Sequence, residues 1–273
     1  MEVIVNADDL GVSTTVDQAT LNLMEVRRIT SATCLANGPD IEDVAGKIFS
    51  IPKFHTTSFG AHLNLTEFRP ITKISQLEPL LTEDGAFGRN NIRNTRIGSQ
   101  LSEGIYVEFC AQIDKLYDLG IPITHIDSHH YVFSIPRLFP ILKRIQMRYG
   151  IRKVRISRNI YGDCVLRNAK ISHHELGVDP THGDNPSGWL KKKKWIYNWV
   201  LRNYYKSTTT EGFSGFRLFY EYAKLKRMNH KTFEVNVHPA NPYYHSSEEA
   251  LLATEWWKDL PFPVRLISYH ELR

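Results

Sequence analysis

Val3-Ile4-Val5-Asn6-Ala7-Asp8-Asp9-Leu10-Gly11 decides between two ways of building a parallel sheet. Three β-branched residues open a short strand, two adjacent carboxylates close it, and a helical pattern begins almost at once. An open doubly wound sheet usually carries a glycine-rich phosphate turn after its first strand, and Asn6-Ala7-Asp8-Asp9-Leu10-Gly11 is not one. The stretch points instead to a closed barrel of alternating strands and helices. Two like charges side by side repel each other, which a fold tolerates for a bound cation or for an acid/base task.

Working outward, the alternation continues along the chain. Ser13 can cap a helix carrying Val16, Leu23 and Met24, and residues 30–36 read as a second strand. Asp40 is a plausible cap for the helical face Ile41, Val44, Ala45, Ile48 and Phe49. Residues 58–65 alternate like a strand carrying His62 and Asn64, and 66–95 read as a long loop. Ile97, Leu101, Ile105, Phe109, Ile113 and Leu116 recur at helical spacing, followed by a strand over 122–128. Pro136 suits the first turn of a helix with Leu138, Ile141, Leu142 and Ile145, and 153–157 form a fifth strand. A helix over 216–228, a strand over 232–239, a capping box at Ser246 and Glu249, and a last strand over 264–268 complete the series. About seven parallel strands with helical crossovers predict an α/β, TIM-like (β/α) barrel. No linker-like composition interrupts residues 1–273, so a single domain is expected, with 158–230 as an elaborated crossover.

Composition bounds the function classes. The 273 residues are 42% hydrophobic and 23% charged, an ordinary globular balance. A net charge of +5 is mildly basic, but no aromatic-basic RNA motif or zinc finger accompanies it, and no nucleic-acid partner is expected. Cys34, Cys110 and Cys164 are odd in number and far apart, which fits a reducing compartment. No basic and apolar leader pattern precedes the first strand, and no apolar run reaches the roughly 20 residues of a membrane span. A cytoplasmic protein with no transmembrane segment is expected. Lysines 191–194 read as a solvated helix face, and Trp195 and Trp199, at i,i+4, as core. His173, His174 and His182 receive no role.

The chemistry is concentrated at strand ends. Strand one ends in Asp8-Asp9, strand three carries His62 and Asn64, strand four ends in Asp127-Ser128-His129-His130, strand five holds Arg155, and the strand near 235 ends in His238. In a parallel barrel all these ends open onto one face. Taken singly, each has a bland reading: a turn, a helix cap, a core histidine or a strand stop. Together, one carboxylate with two imidazoles is a recurring divalent-metal set, accepted by zinc, nickel, cobalt or magnesium. Hydrolysis also needs a base and an acid, for which Asp8 and His238 remain, while Asp127 and Arg155 are placed to orient those groups.

These motifs resemble a known family. Asn6-Ala7-Asp8-Asp9-Leu10-Gly11, Gly60-Ala61-His62-Leu63-Asn64-Leu65-Thr66, Thr124-His125-Ile126-Asp127-Ser128-His129-His130 and Val237-His238-Pro239 are similar, in order and position, to the YdjC-like carbohydrate deacetylases. That group includes chito-oligosaccharide deacetylases and a hopanoid-biosynthesis deacetylase. The resemblance implies an irregular (β/α) barrel and a divalent-metal-dependent hydrolase that removes acetyl from an N-acetylated sugar or glycoconjugate. It implies Asp9, His62 and His129 as ligands of Mg2+ or Zn2+, Asp8 as general base and His238 as general acid. Asn64, His125 and His130 are further candidates for orienting ligands or touching substrate. Family members often continue the fourth motif with another histidine, whereas this chain reads His129-His130-Tyr131-Val132-Phe133. Substrate choice is expected to lie in 158–230, and the barrel rim with loop 66–95 offers a surface for a homodimer. The rival readings are a metal hydrolase of an O-acetyl ester or phosphoester, and a carbohydrate-binding barrel without turnover.

Overall fold

The computed structural model describes residues 1–49, 54–161, 187–225, 228–241 and 247–273. Cys164, His173, His174, His182 and Ser246 of the expected capping box lie outside the described residues. The described residues form eight strands: β1 (Glu2–Leu10), β2 (Ser31–Cys34), β3 (Ser58–Leu63), β4 (Ile123–Ser128), β5 (Lys153–Val154), β6 (Gly212–Gly215), β7 (Thr232–Val237) and β8 (Arg265–Leu266). The helices are α1 (Thr14–Glu25), α2 (Ile41–Ile48), α3 (Ser99–Asp118), α4 (Phe139–Tyr149), α5 (Gly188–Trp199), α6 (Phe216–Leu225) and α7 (Ser247–Leu252).

Every strand pairing is parallel, in the order β5-β4-β3-β2-β1-β7-β6, with β8 beside β1. The sheet curls into a TIM-like α/β half-barrel, as the strand–helix alternation predicts. Its two edges are tied together. Val154 N donates to Thr208 O at 3.0 Å, Thr208 N to Arg152 O at 2.9 Å, and Phe213 N to the Asn159 side chain at 2.9 Å. β1 is an interior strand, paired with β2, β7 and β8, and is buried from Val3 to Leu10, which explains its nearly unbroken apolar opening.

The expected helices are present, and their apolar faces do the burying. On α3, Leu101, Ile105, Phe109, Ile113 and Leu116 are all buried; full burial of such side chains stabilises by about 1.5–3 kcal/mol each. The same helix buries two polar residues that shape the site. Glu108 accepts from Ile71 N, Thr72 N and the Thr72 hydroxyl at 3.0, 2.8 and 2.6 Å. Gln112 clamps Asn64 N and O at 2.9 and 2.8 Å. The stretch 66–95 is thereby pinned to α3, and it contains short helical turns at Ser75–Leu80 and Asn91–Asn94 rather than loop alone.

Three other expectations are corrected. Asp40 makes no capping bond; its carboxylate accepts from the Thr14 hydroxyl at 2.5 Å and so joins α1 to α2. β6 was not expected, because Gly212-Phe213-Ser214-Gly215 has little strand propensity and is held by its neighbour β7. Trp195 and Trp199 do not enter the core: they are 65% and 50% exposed. Helical periodicity identifies a stripe but not whether the stripe faces inward.

Candidate active site

Asp8 and Asp9 diverge because β1 is irregular where they sit. Its pairing with β2 runs Ala7↔Ala32 and then Leu10↔Cys34, so three steps on β1 match two on β2. Such a bulge re-aims side chains that would otherwise alternate between faces. Asp9 also has φ 66°, in the left-handed region that a short polar residue tolerates better than most. His130, Tyr131 and Ala240, at the ends of β4 and β7, share this positive φ. Backbone strain gathered on one set of strand ends is typical of a functional site.

Asp9 turns toward two imidazoles. Its Oδ1 lies 3.3 Å from His62 Nε2 and 2.9 Å from His129 Nδ1, and the donor atoms of the three residues lie within 4.8 Å of one another. This buried oxygen nevertheless receives no properly directed hydrogen bond. The other nitrogen of each ring faces a carboxylate: His62 Nδ1 is 2.6 Å from Asp127 Oδ1, and His129 Nε2 is 3.1 Å from Glu67 Oε2. A carboxylate behind each imidazole fixes ring orientation and raises basicity at the inward nitrogen, the usual support of a metal-ligating histidine. The donor set therefore fits a divalent cation. Burial alone would lower the pKa of His62, but Asp127, with Asp9 and Asp8, pushes it up to about 10. His129 is likewise raised against its burial by Asp9 and Glu67. A divalent cation among these residues would compensate the same carboxylates.

Asp8 turns into the barrel. Arg155 grips it with both terminal nitrogens at 2.8 and 2.7 Å, and Asn6 and Asn236 add side-chain donors at 2.9 and 3.1 Å. Asn6 and Asn236 face each other across the β1–β7 ladder, so adjacent strands supply both amides. Arg155 also reaches Asp127 Oδ2 at 2.6 Å and Glu234 Oε1 at 2.8 Å. Burial would raise the Asp8 pKa, but Arg155 outweighs it, aided by His62 and His238, and holds the carboxyl well below its usual range. Glu234 is pushed up to about 7 by burial despite Arg155 and the Tyr269 hydroxyl. His238 places Nε2 3.8 Å from Asp8 Oδ2. Its pKa is lowered by burial against the pull of Asp8 and Asp9.

The remaining candidates are distributed differently. Asp127 and Arg155 join the network directly. Asn64 faces none of the three donors; its Oδ1 accepts from Thr66 N and Glu67 N at 2.8 and 3.2 Å and builds the turn that presents Glu67. His130 packs its ring 3.9 Å from that of His129 and meets the Thr66 hydroxyl at 2.9 Å. His125 is apart from the imidazole pair, stacked on Tyr269 at 3.7 Å and held by Ser31, Asn6 and Thr124. Glu67, Glu234, Asn6, Asn236 and Tyr269 escaped sequence reasoning, as did Thr33, whose hydroxyl lies 3.2 Å from His62 Nδ1 and donates to Asp127 Oδ2 at 3.1 Å. Only the Asn6/Asn236 pair left a trace, as polar residues inside apolar strands.

Comparison with known proteins bears on the family and the fold. Residues 2–262 match the family model described as YdjC-like protein. A carbohydrate deacetylase of Geobacillus stearothermophilus is 33% identical over 183 residues, covering 62% of this chain and 71% of the relative. A carbohydrate deacetylase of Brevibacillus brevis is 36% identical over 193 residues, 66% of this chain and 72% of the relative. A chitooligosaccharide deacetylase of Escherichia fergusonii is 33% identical over 165 residues, 60% of this chain and 62% of the relative. A crystal structure of an Enterococcus faecalis V583 protein, named for a proposed cellobiose-phosphate cleavage, superposes with a TM-score of 0.72 at 20% identity. It covers 99% of this chain and 98% of its own, and it speaks to the fold.

Proposed function

Because the chain belongs to the YdjC-like family, we propose that it is a divalent-metal-dependent hydrolase that removes acetyl from an N-acetylated carbohydrate. The products are acetate and an amino sugar. The observation that carries this reading is the convergence of Asp9, His62 and His129 beside a separately held Asp8 and His238. The names of the relatives support the acetylated-sugar substrate.

In this proposal Asp9, His62 and His129 hold the ion, Zn2+ or Mg2+. Such an ion polarises a carbonyl oxygen and acidifies a bound water. Asp8, gripped by four donors, is a weak base, and Arg155 keeps it ionised and fixed in direction. It takes the proton from the attacking water as the new C–O bond forms. His238 Nε2, 3.8 Å from Asp8 Oδ2, is in reach to relay that proton to the leaving nitrogen as the C–N bond breaks. Its lowered pKa suits this task, since a desolvated imidazolium gives up its proton readily.

The test is acetate release from a panel of N-acetylated oligosaccharides and glycoconjugates, with and without chelator. Release that chelation abolishes and metal restores is expected, together with an Asp8→Asn variant that binds metal but does not turn over. Absence of release across the panel with metal bound, or full activity in Asp8→Asn, would overturn the reading.

A further inference from the structure

We propose that the outward face of α5 seats this protein on the surface of an anionic lipid bilayer. The proposal does not depend on the hydrolytic reading. Its basis is a helix that leaves most of its large apolar side chains outside the core. Trp189, Trp195 and Trp199 are 71%, 65% and 50% exposed, and Leu190, Ile196 and Tyr204 on the same stretch are exposed as well. Positions 189, 192, 196 and 199 fall on one stripe at helical spacing, with 195 beside it. The inward side carries little apolar surface of its own: Tyr197 packs its ring 4.9 Å from that of Phe139, and buried Asn198 clamps Ser157 N and O at 2.9 and 3.0 Å.

Charge identifies what this face meets. Residues 187–210 contain Lys191, Lys192, Lys193, Lys194, Arg202 and Lys206 and no aspartate or glutamate. Lysines interleaved with indoles and aliphatic side chains are the pattern of a helix lying in the headgroup layer, rings at the acyl boundary and ammonium groups on phosphates. A cleft of about 420 Å³ beside the stripe is lined by Arg158, Lys191, Lys194, Trp195 and Arg202 and offers cationic lining to a headgroup. The helix has twelve residues, which lies on a bilayer rather than across it. A two-fold dimer through this face would set the lysine run against its own copy, which charge opposes. A soluble acidic glycan would engage the lysines and stack on indoles but leaves Leu190 and Ile196 without a role.

The position of α5 gives the docking a consequence. Ser157, which Asn198 grips, is two residues beyond Arg155, and Arg155 holds Asp8. The proposed docking face is therefore anchored at the strand end that feeds the candidate site.

The experiment is vesicle co-sedimentation of the full chain, using phosphatidylcholine alone or with about 30% phosphatidylglycerol, combined with quenching of tryptophan fluorescence by brominated acyl chains. Binding to the anionic vesicles with quenching is expected, weakening as salt rises from about 0.1 to 0.5 M. Each lysine near an anionic leaflet strengthens binding about fivefold, so Lys192→Gln with Lys193→Gln should weaken it about 25-fold. Trp189→Ser with Trp195→Ser should abolish quenching and binding at an unchanged melting temperature. Failure of the wild type to sediment with anionic vesicles at low salt would overturn the proposal. So would vesicle binding without quenching, undiminished binding by the tryptophan variant, or indole burial in a soluble dimer or on heparin while vesicles stay unbound.

Discussion

Replacing Arg155 with methionine removes the guanidinium that Asp8, Asp127 and Glu234 share inside the barrel. All four side chains are at most 6% exposed. Breaking a buried ion pair by deleting one partner costs about 3–5 kcal/mol, because the other charge is left without compensation. The structure sets an upper limit of similar size. Glu234, already pushed up to about 7, takes a proton at little cost, so the larger relief is protonation of Asp8, whose ordinary pKa is 3.8; at about pH 7.5 this costs about 5 kcal/mol, at 1.36 kcal/mol per unit. In the wild type the folded pKa of Asp8 lies below the unfolded one, so its stabilisation is complete above about pH 4 and is lost only as pH falls through the folded value. In the variant desolvation acts unopposed and the folded pKa rises above the unfolded one, so the penalty grows with pH. The gap between wild type and Arg155→Met should therefore be about 3–5 kcal/mol at pH 7.5 and shrink by about 1.4 kcal/mol per unit toward pH 5. In melting temperature this is about 6–20 °C at neutral pH. Urea unfolding of both proteins at several pH values measures it. A gap under about 1 kcal/mol at pH 7.5, or one that does not change with pH, would refute the reasoning.

Three further outcomes are expected. Glu67→Gln should lower metal affinity about 10–100-fold, read by competition with a fluorescent chelator, with little loss of stability because this carboxylate is 32% exposed. His125 is held neutral by burial, its folded pKa well below the ordinary 6.5; its stabilisation is complete above pH 6.5 and is lost as pH falls. The stability difference between wild type and His125→Phe should therefore narrow by about 1.4 kcal/mol per unit below that point in chemical denaturation. Gly60→Ala should cost about 1–3 kcal/mol or more, measured by thermal unfolding, because the new Cβ would lie 2.6 Å from the His125 ring, which Tyr269 backs by stacking.

Sequence reading located the converging side chains better than their supports. Asp8-Asp9, His62, Asp127, His129, Arg155 and His238 stand at strand ends, and a parallel barrel brings strand ends together whatever the loops do. Glu67 was not legible because a turn made by Asn64 and a clamp from Glu108 and Gln112 place it, and neither has a local signature. Glu234 reads as an ordinary alternating strand residue until Arg155 arrives from β5. The bulge that separates Asp8 from Asp9 is a matter of register between two strands, so it is invisible in either strand alone. α5 shows the converse failure. Its spacing was evident, but a stripe of indoles reads the same whether it faces a core or solvent.

The pairing of β1 also says something about how the molecule is made. Near its start β1 is flanked by β7 and β8, from residues 232–237 and 265–266, and only farther along does β2 replace β8. A nascent chain can pair β1 with β2 early, yet that strand keeps an open flank until some 230 further residues have been synthesised. At about 5–20 residues per second that wait lasts on the order of 10–50 s. Over the same interval Asp8 lacks first Arg155 and then Asn236, so its four-donor grip is complete only once residue 236 has been made. β1 is thus made some 230 residues before the strand that covers its second flank. A chain stalled before residue 155 would carry both aspartates without the guanidinium that fixes Asp8.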